Sequence, residues 1–398
     1  MSDVTVTIER IGARGDGVAR HEGKAVFVPF TAPGDVVRVR LARDKAELIE
    51  FVSRGARQEP PCPHFGQCGG CALQHLSDAV YATAKQDFVR EALAHRGLDP
   101  DLVEPIRRIP PGTRRRARLA MKNGKIGFHQ RASHRIVDMK TCAVLHPTLV
   151  AVVQALRRLG LDADVSLTLA DSGVDLLIDL PRAPDLAVTE KLTGFAVAHD
   201  LARLLWRTKK DAPMPIVQRR AVRMDFAGTN VDLPPDCFLQ ATKEAEGIMR
   251  DLVLEGVGDA KTVADLFCGV GTFSFALAKH AKIDAVDGDQ DAVAALRRAA
   301  AAISGQARDL ERRPLLADEL NRFDAVVFDP PYAGAAAQAK ELAKAQVPRI
   351  VAVSCNPASF ARDARALVDG GYRLVRVVPV DQFLWSAEVE LVAHFARQ

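Results

Sequence analysis

The sequence predicts an α/β protein: a Rossmann-like C-terminal domain, a small N-terminal β-barrel of the TRAM or OB kind, and a central α+β region between them. Three observations carry this. From about Cys237, short uninterrupted apolar strands (Thr262–Phe267, Ile283–Val286, Ala325–Phe328, Ile350–Val353) alternate with helices, as in a parallel sheet covered on both faces. Before Arg57, four or five short segments alternate apolar and polar residues between glycine turns. Between the two, cysteine and positive charge are concentrated.

In the first segment, residues 1–57, Val4, Val6 and Ile8 alternate with polar residues, and Gly12, Gly15 and Gly17 mark a turn. Ala25–Phe30, Val36–Ala42 and Glu47–Ser53 follow as strands, with Thr31–Asp35 as a turn. Along Val37–Leu41 the apolar residues share one face and Arg38 and Arg40 the other. That suits an RNA-binding barrel, or a plain packing module. A boundary falls at Glu59-Pro60-Pro61. The central region, 58–236, holds a cysteine loop, a helix over Ser77–Arg96, a basic stretch to Lys140 and strand-like alternation over Asp164–Leu180. Its segment 76–104 is expected to pack on the third domain, 237–398.

Composition is that of an ordinary soluble chain: 398 residues, 48% hydrophobic and 26% charged. No apolar run reaches the roughly 18–20 residues of a membrane span, and charged, alternating Met1–Arg10 is not a signal peptide. The net charge of +4 hides a local excess. Pro105–Val150 carries eleven basic residues and one acid, Asp138, a net of +10, which leaves the rest at −6. Such a block is the footprint of a phosphate-rich partner, with Arg114, Arg115 and Arg116 expected to grip phosphates. Seven cysteines, an odd number in a long chain without a leader, indicate a reducing cytoplasmic setting.

Four motifs carry chemistry. In Asp265–Phe273 a strand ends in a glycine turn, Gly269 and Gly271, that feeds a helix. Asp287 closes the next strand, 22 residues after Asp265, where an acid can accept ribose hydroxyls. The missing third glycine argues against a dinucleotide and for S-adenosylmethionine. Asp329-Pro330-Pro331-Tyr332, at another strand end, alone suggests an amino-methylating enzyme that stacks a flipped base. Ser354-Cys355-Asn356-Pro357 decides otherwise. A cysteine between a strand end and a helix N-terminus sits where a thiolate is stabilised, and a methyltransferase needs a nucleophile only for a poor target such as carbon 5 of a pyrimidine. Finally, Cys62, Cys68 and Cys71 lie in a Pro/Gly-rich loop, with Cys142 71 residues later. Four soft thiolates hold zinc or an iron–sulfur cluster, and three-plus-one spacing is commoner for [4Fe–4S]. Cys237 and Cys268 read as core or pocket residues, and His64, His75 and His129 as surface or RNA-contacting ones.

Together these motifs resemble the bacterial RNA uracil-5-methyltransferase family, especially its 23S ribosomal RNA branch, over nearly the whole chain. The barrel looks like a TRAM domain. The resemblance implies a SAM-dependent enzyme that flips a uridine out of its fold, with Cys355 adding to carbon 6 and Glu390, in Asp381–Glu390, as the base that removes the carbon 5 proton. It implies a [4Fe–4S] cluster on Cys62, Cys68, Cys71 and Cys142, RNA as partner and no obligate protein partner. Cofactor contacts carry over to Gln240, Phe267, Gly269, Gly271, Thr272, Asp287, Asp309 and Asp329, with Asp318 the fallback for Asp309. The family's arginine is replaced at Pro331-Tyr332, and its Pro-His-Thr and second His by Leu384-Trp385-Ser386 and Glu388. Glu388 is expected to raise the pKa of Glu390 or to alter substrate choice. A transfer-RNA uracil methyltransferase or a non-catalytic RNA-binding protein of this fold are the alternatives.

Overall fold

A computed structural model describes residues 3–42, 45–209 and 211–397. Positions 1, 2 and 398, where the first and third expected domains begin and end, lie outside the described residues. Six strands come first: β1 (Asp3–Thr7), β2 (Arg10–Ile11), β3 (Gly17–His21), β4 (Lys24–Val28), β5 (Val36–Ala42) and β6 (Lys45–Ser53). They form two antiparallel sheets, β1-β5-β6 and β2-β3-β4, closed on a core of Val6, Ile8, Ala19, Val28, Val37 and Val39. Arg38 and Arg40 point outward as expected, but Glu50 and Asp3 pair with them at 3.2 and 3.0 Å.

The middle of the chain adds α1 (Asp78–Ala94), β7 (Arg116–Lys122), β8 (Lys125–Gly127), α2 (Pro147–Leu156), β9 (Ala163–Ala170), β10 (Gly173–Leu180), α3 (Leu186–Ala198), β11 (Arg203–Thr208), β12 (Met214–Gln218), β13 (Arg223–Phe226) and β14 (Thr229–Asp232). A six-stranded sheet runs β12-β11-β10-β9-β7-β8. Leu149, Val153 and Leu156 of α2 and Leu192 and Phe195 of α3 bury against it. The helix α1 does not join this core. Its Tyr81, Phe88, Val89 and Leu93 share a core with Leu266, Phe328, Phe360 and Leu391 further along the chain.

The last part contains α4 (Lys243–Val257), β15 (Thr262–Leu266), α5 (Ser274–Leu277), β16 (Lys282–Asp287), α6 (Gln290–Ala299), β17 (Ser304–Ala307), α7 (Ala317–Leu320), β18 (Ala325–Phe328), α8 (Ala336–Lys344), β19 (Arg349–Ser354), α9 (Pro357–Asp369), β20 (Tyr372–Val380) and β21 (Glu390–Arg397). The sheet order is β17-β16-β15-β18-β19-β21-β20. The expected parallel sheet is present, with one exception: β21 pairs antiparallel with both β19 and β20. The loop Asp381–Val389 is too short for the helical crossover that a parallel connection needs. The order turns back between β15 and β18, so a crevice opens beyond their C-terminal ends, where ligands bind in such sheets.

The basic stretch is less free than its sum suggests. Arg107 meets Glu104, Arg108 meets Asp78 and Asp381, Arg115 meets Glu246, Arg118 meets Asp164 and Asp179, Arg131 meets Asp16, and Lys140 meets Asp138. Most of those acids lie outside the stretch.

Candidate active site

The crevice is a cavity of about 850 Å³, within the range of small-molecule sites. One wall is the turn after β15. Phe267 holds a left-handed φ of 60°, and Gly269 follows at 54°. A side chain at Gly269 would meet nothing within 4 Å, so this turn leaves room for a ligand against bare backbone. Asp287 closes β16 and accepts the Gly269 amide at 2.8 Å and the Asp289 amide at 2.7 Å. Phe267, Gly269, Thr272, Asp287 and Asp309 all line the cavity. Gly271 is not among the lining residues. Its φ is +99°, and a Cβ there would approach Phe275 to 2.6 Å, so it serves the turn's packing. Asp318 sits in the first turn of α7 and lines nothing here, whereas Asp309 faces the cavity and caps the amides of Glu311 and Arg312.

The second wall is a chain of carboxylates and amides. Gln240 Nε2 donates to Asp329 at 2.8 Å. Gln382 Nε2 donates at 2.8 Å both to Gln240 Oε1 and to Glu390 Oε2, and Gln382 Oε1 accepts the Ala241 amide. Gln240, Gln382 and Glu390 are all buried, and Glu390 Oε1 has no partner. Burial holds the Glu390 carboxyl well above its ordinary value, and the neighbouring Asp329 adds to this. Glu388 does not contribute to the Glu390 shift; its charge acts instead on Tyr332, which it raises first among the causes, and least among the causes on Cys355. Asp329 is pushed up to about 7 by burial and by Asp265, itself raised to about 7 by burial at the end of β15.

Cys355 directly follows β19, and Asn356 caps α9 by accepting the Ala358 amide. Asn356 Nδ2 and Ser359 Oγ donate to Tyr332 O at 3.0 and 3.1 Å, which fixes the Pro330–Tyr332 loop beside the thiol. The position matches the sequence expectation; the ionisation does not. Burial, then Glu390 and Asp329, push Cys355 up to about 12. In the free protein the two carboxylates and the desolvation outweigh the helix terminus.

The third wall comes from the middle sheet: Arg116, Arg118, Ser166 and Thr168 line the cavity. Of the three arginines expected to grip phosphates, Arg115 is buried and donates to Glu246 and to Gln240 O at 2.9 Å. Arg116 donates to Leu239 O at 2.7 Å and lies 4.8 Å over the exposed ring of Phe238. Arg114 stacks on Phe383. Arg115 and Arg116 therefore hold the Phe238–Gln240 segment against the middle sheet. His75 is also internal, with Nε2 at 3.0 Å from Thr31 O.

A separate cavity of about 130 Å³ is lined by Cys62, Cys68, Cys71 and Cys142 together with Arg114, Leu384 and Ser386. Burial raises the thiols of Cys68 and Cys142, and that of Cys71 to about 12. Among the described residues, no group of three or more His, Cys, Asp or Glu stands close enough to hold a single metal ion. Arg114 lines both cavities. Sequence reading missed this shared wall and the bridging role of Gln382, because neither leaves a local signal.

Comparison with known proteins agrees with this arrangement. Residues 2–48 match the TRAM domain and residues 245–352 the methyltransferase small domain. An RNA methyltransferase of Brucella suis biovar 1, itself described as uncharacterized, is 43% identical across 98% of this chain and 96% of its own length. The 23S rRNA (uracil(1939)-C(5))-methyltransferase RlmD of Dechloromonas aromatica is 32% identical across 98% of each chain. The crystal structure of the Pyrococcus abyssi tRNA (uracil-54, C5)-methyltransferase with S-adenosyl-L-homocysteine superposes with a TM-score of 0.75 over 98% of this chain and 99% of that one, at 23% identity, and so shares the fold. The fold, the motifs in their order and full-length similarity converge: this chain belongs to the RNA uracil-C5 methyltransferase family.

Proposed function

We propose that this protein methylates carbon 5 of a specific uridine in 23S rRNA through a covalent Cys355 adduct. The observation that carries this is the meeting, in one cavity, of Cys355, an unpartnered buried carboxylate oxygen of Glu390 and the glycine turn after β15. The full-length similarity to a 23S rRNA enzyme supports the substrate.

S-adenosylmethionine supplies a methyl group made electrophilic by its sulfonium. The open backbone at Gly269 and the carboxylates of Asp287 and Asp309 fit its adenosyl part. The flipped uracil lies between Asp329-Pro330-Pro331-Tyr332 and Glu390. Cys355 Sγ, once ionised, bonds to carbon 6, and the C5=C6 electron pair moves toward carbon 5 and the carbon 4 oxygen. Carbon 5 takes the methyl as the methyl–sulfur bond breaks, and S-adenosylhomocysteine leaves as a neutral thioether. Glu390 Oε1 accepts the carbon 5 proton, the C5=C6 bond re-forms, the Sγ–C6 bond breaks and the thiolate returns. Gln240 and Gln382 hold both carboxylates by their amide groups, so neither rotates away. Because the free thiol is held neutral, its ionisation accompanies seating of the substrate, and its proton passes to solvent through the open crevice.

Cys62, Cys68, Cys71 and Cys142 fit a [4Fe–4S] cluster. Their thiols surround a cavity rather than a point, and the Arg114 cation faces a group whose thiolate ligands carry negative charge. Such a cluster would tie both ends of the basic stretch together; methyl transfer needs no electron from it. A cytoplasmic, reducing setting suits it.

The test is methylation of purified ribosomal and transfer RNA by the protein as isolated anaerobically, with 5-methyluridine mapped by mass spectrometry. Product in 23S rRNA, lost in Cys355→Ala, is expected. Product in transfer RNA alone would overturn the substrate, and undiminished product in Cys355→Ala the mechanism.

A further inference from the structure

We infer that Tyr81 and Lys85, one turn apart on α1, are positioning residues for proton removal by Glu390; the inference rests on the uracil-5 reading above. Neither lines the cavity. Both are fully enclosed, and Lys85 has no exposed surface. Burying an ammonium is costly unless every donor is used. Here Lys85 Nζ lies 3.2 Å from Asp381 Oδ1 and donates to Phe383 O at 3.1 Å and Glu388 O at 2.5 Å. One ammonium therefore joins the two ends of the loop that leads into Glu390. Tyr81 Oη donates to Asp381 at 2.7 Å and accepts the Trp385 amide at 2.9 Å. Trp385 holds a left-handed φ of 59°, rare for a bulky side chain and retained only where the surroundings impose it.

The pinned loop reaches the chemistry directly. Asp381 precedes Gln382, whose amide joins Glu390, Gln240 and the Ala241 backbone. A continuous buried path thus runs from α1 through Asp381 and Gln382 to the carboxylate that takes the proton. Replacing the whole buried set, Asp381 included, by apolar residues of similar volume would stabilise as well or better. What the polar set adds is a fixed loop geometry. Small displacements of a reacting group are expensive in rate.

Tyr81→Phe removes one hydroxyl and leaves the Lys85–Asp381 pair in place. We expect kcat to fall on the order of 10–100-fold, with KM for S-adenosylmethionine and RNA within about twofold of wild type. Deuterium at carbon 5 of the target uridine should slow the variant more than the wild type, because proton removal becomes rate-limiting. Covalent capture of 5-fluorouridine RNA, which has no carbon 5 proton, should proceed at the wild-type rate. Lys85→Arg, which keeps the charge but cannot reach both carbonyls in the same geometry, should behave alike. An unchanged kcat and isotope effect overturns the proposal. So does an equal loss of 5-fluorouridine capture and of turnover, which would mean general damage to the site. If the wild type makes no 5-methyluridine, the underlying reading fails, and this inference with it.

Discussion

Replacing Glu390 by glutamine should make Cys355 easier to alkylate. The thiol is pushed from 9.0 up to about 12 by burial first, Glu390 second and Asp329 third. That span corresponds to roughly 4 kcal/mol against the thiolate. With burial taking the largest part, removing the Glu390 charge returns on the order of one pH unit, or about a tenfold higher thiolate fraction. Alkylation follows the thiolate. The assay is iodoacetamide labelling of Cys355 in the RNA-free protein between about pH 7 and 10, read on the Cys355 peptide by mass spectrometry. Glu390 is itself held well above its ordinary value, so its charge, and with it the effect on the thiol, grows as pH rises, and the two proteins should diverge most toward the upper end of that range. A Glu390→Gln protein that reacts no faster at any pH would refute the placement of this carboxylate beside the thiol.

Other consequences follow from the buried groups. Asp265 is raised to about 7, so the folded state holds its proton more tightly than the unfolded chain, and stability falls as pH rises from about 4 through 7, by up to about 4 kcal/mol. Asp265→Asn should remove this loss, and urea unfolding at pH 5 and 8 would show it; an unchanged pH dependence would refute it. Arg115→Met leaves Glu246 buried and unpaired, and should cost roughly 3–5 kcal/mol of stability; a variant as stable as wild type but with weakened RNA binding would return Arg115 to the phosphates. Phe238 is 62% exposed at the cavity rim, so Phe238→Ala should leave the melting temperature unchanged and weaken RNA binding by roughly 1–3 kcal/mol, measured by filter binding; unchanged binding would argue against stacking there.

The parts legible in the sequence were those in which chemistry is contiguous. Asp265–Phe273, Asp329–Tyr332 and Ser354–Pro357 each place a strand end, a tight turn and a reactive group within a few residues, so their position at the crevice follows from the α/β pattern. Glu390 was legible through the family resemblance of Asp381–Glu390. What failed was what depends on distant partners. The net of +10 in Pro105–Val150 was summed along the chain, but Glu246, Asp179 and Asp16 arrive from elsewhere and occupy Arg115, Arg118 and Arg131. The thiolate expected at Cys355 followed from its helix terminus alone, and the carboxylates that oppose it come from two other strand ends. Gln382, Tyr81 and Lys85 leave no local signature. Tyr81 and Lys85 read simply as one face of a helix, and their partners in Asp381–Glu388 lie some 300 residues away.

The central claim is the covalent step. RNA carrying 5-fluorouridine at the target position, incubated with the protein and S-adenosylmethionine, should give a denaturation-resistant complex. Peptide mapping of that complex should place the RNA on Cys355, with one methyl group on the fluorinated base. Normal methylation of unmodified uridine RNA, with no such complex or with a complex on another residue, would contradict it.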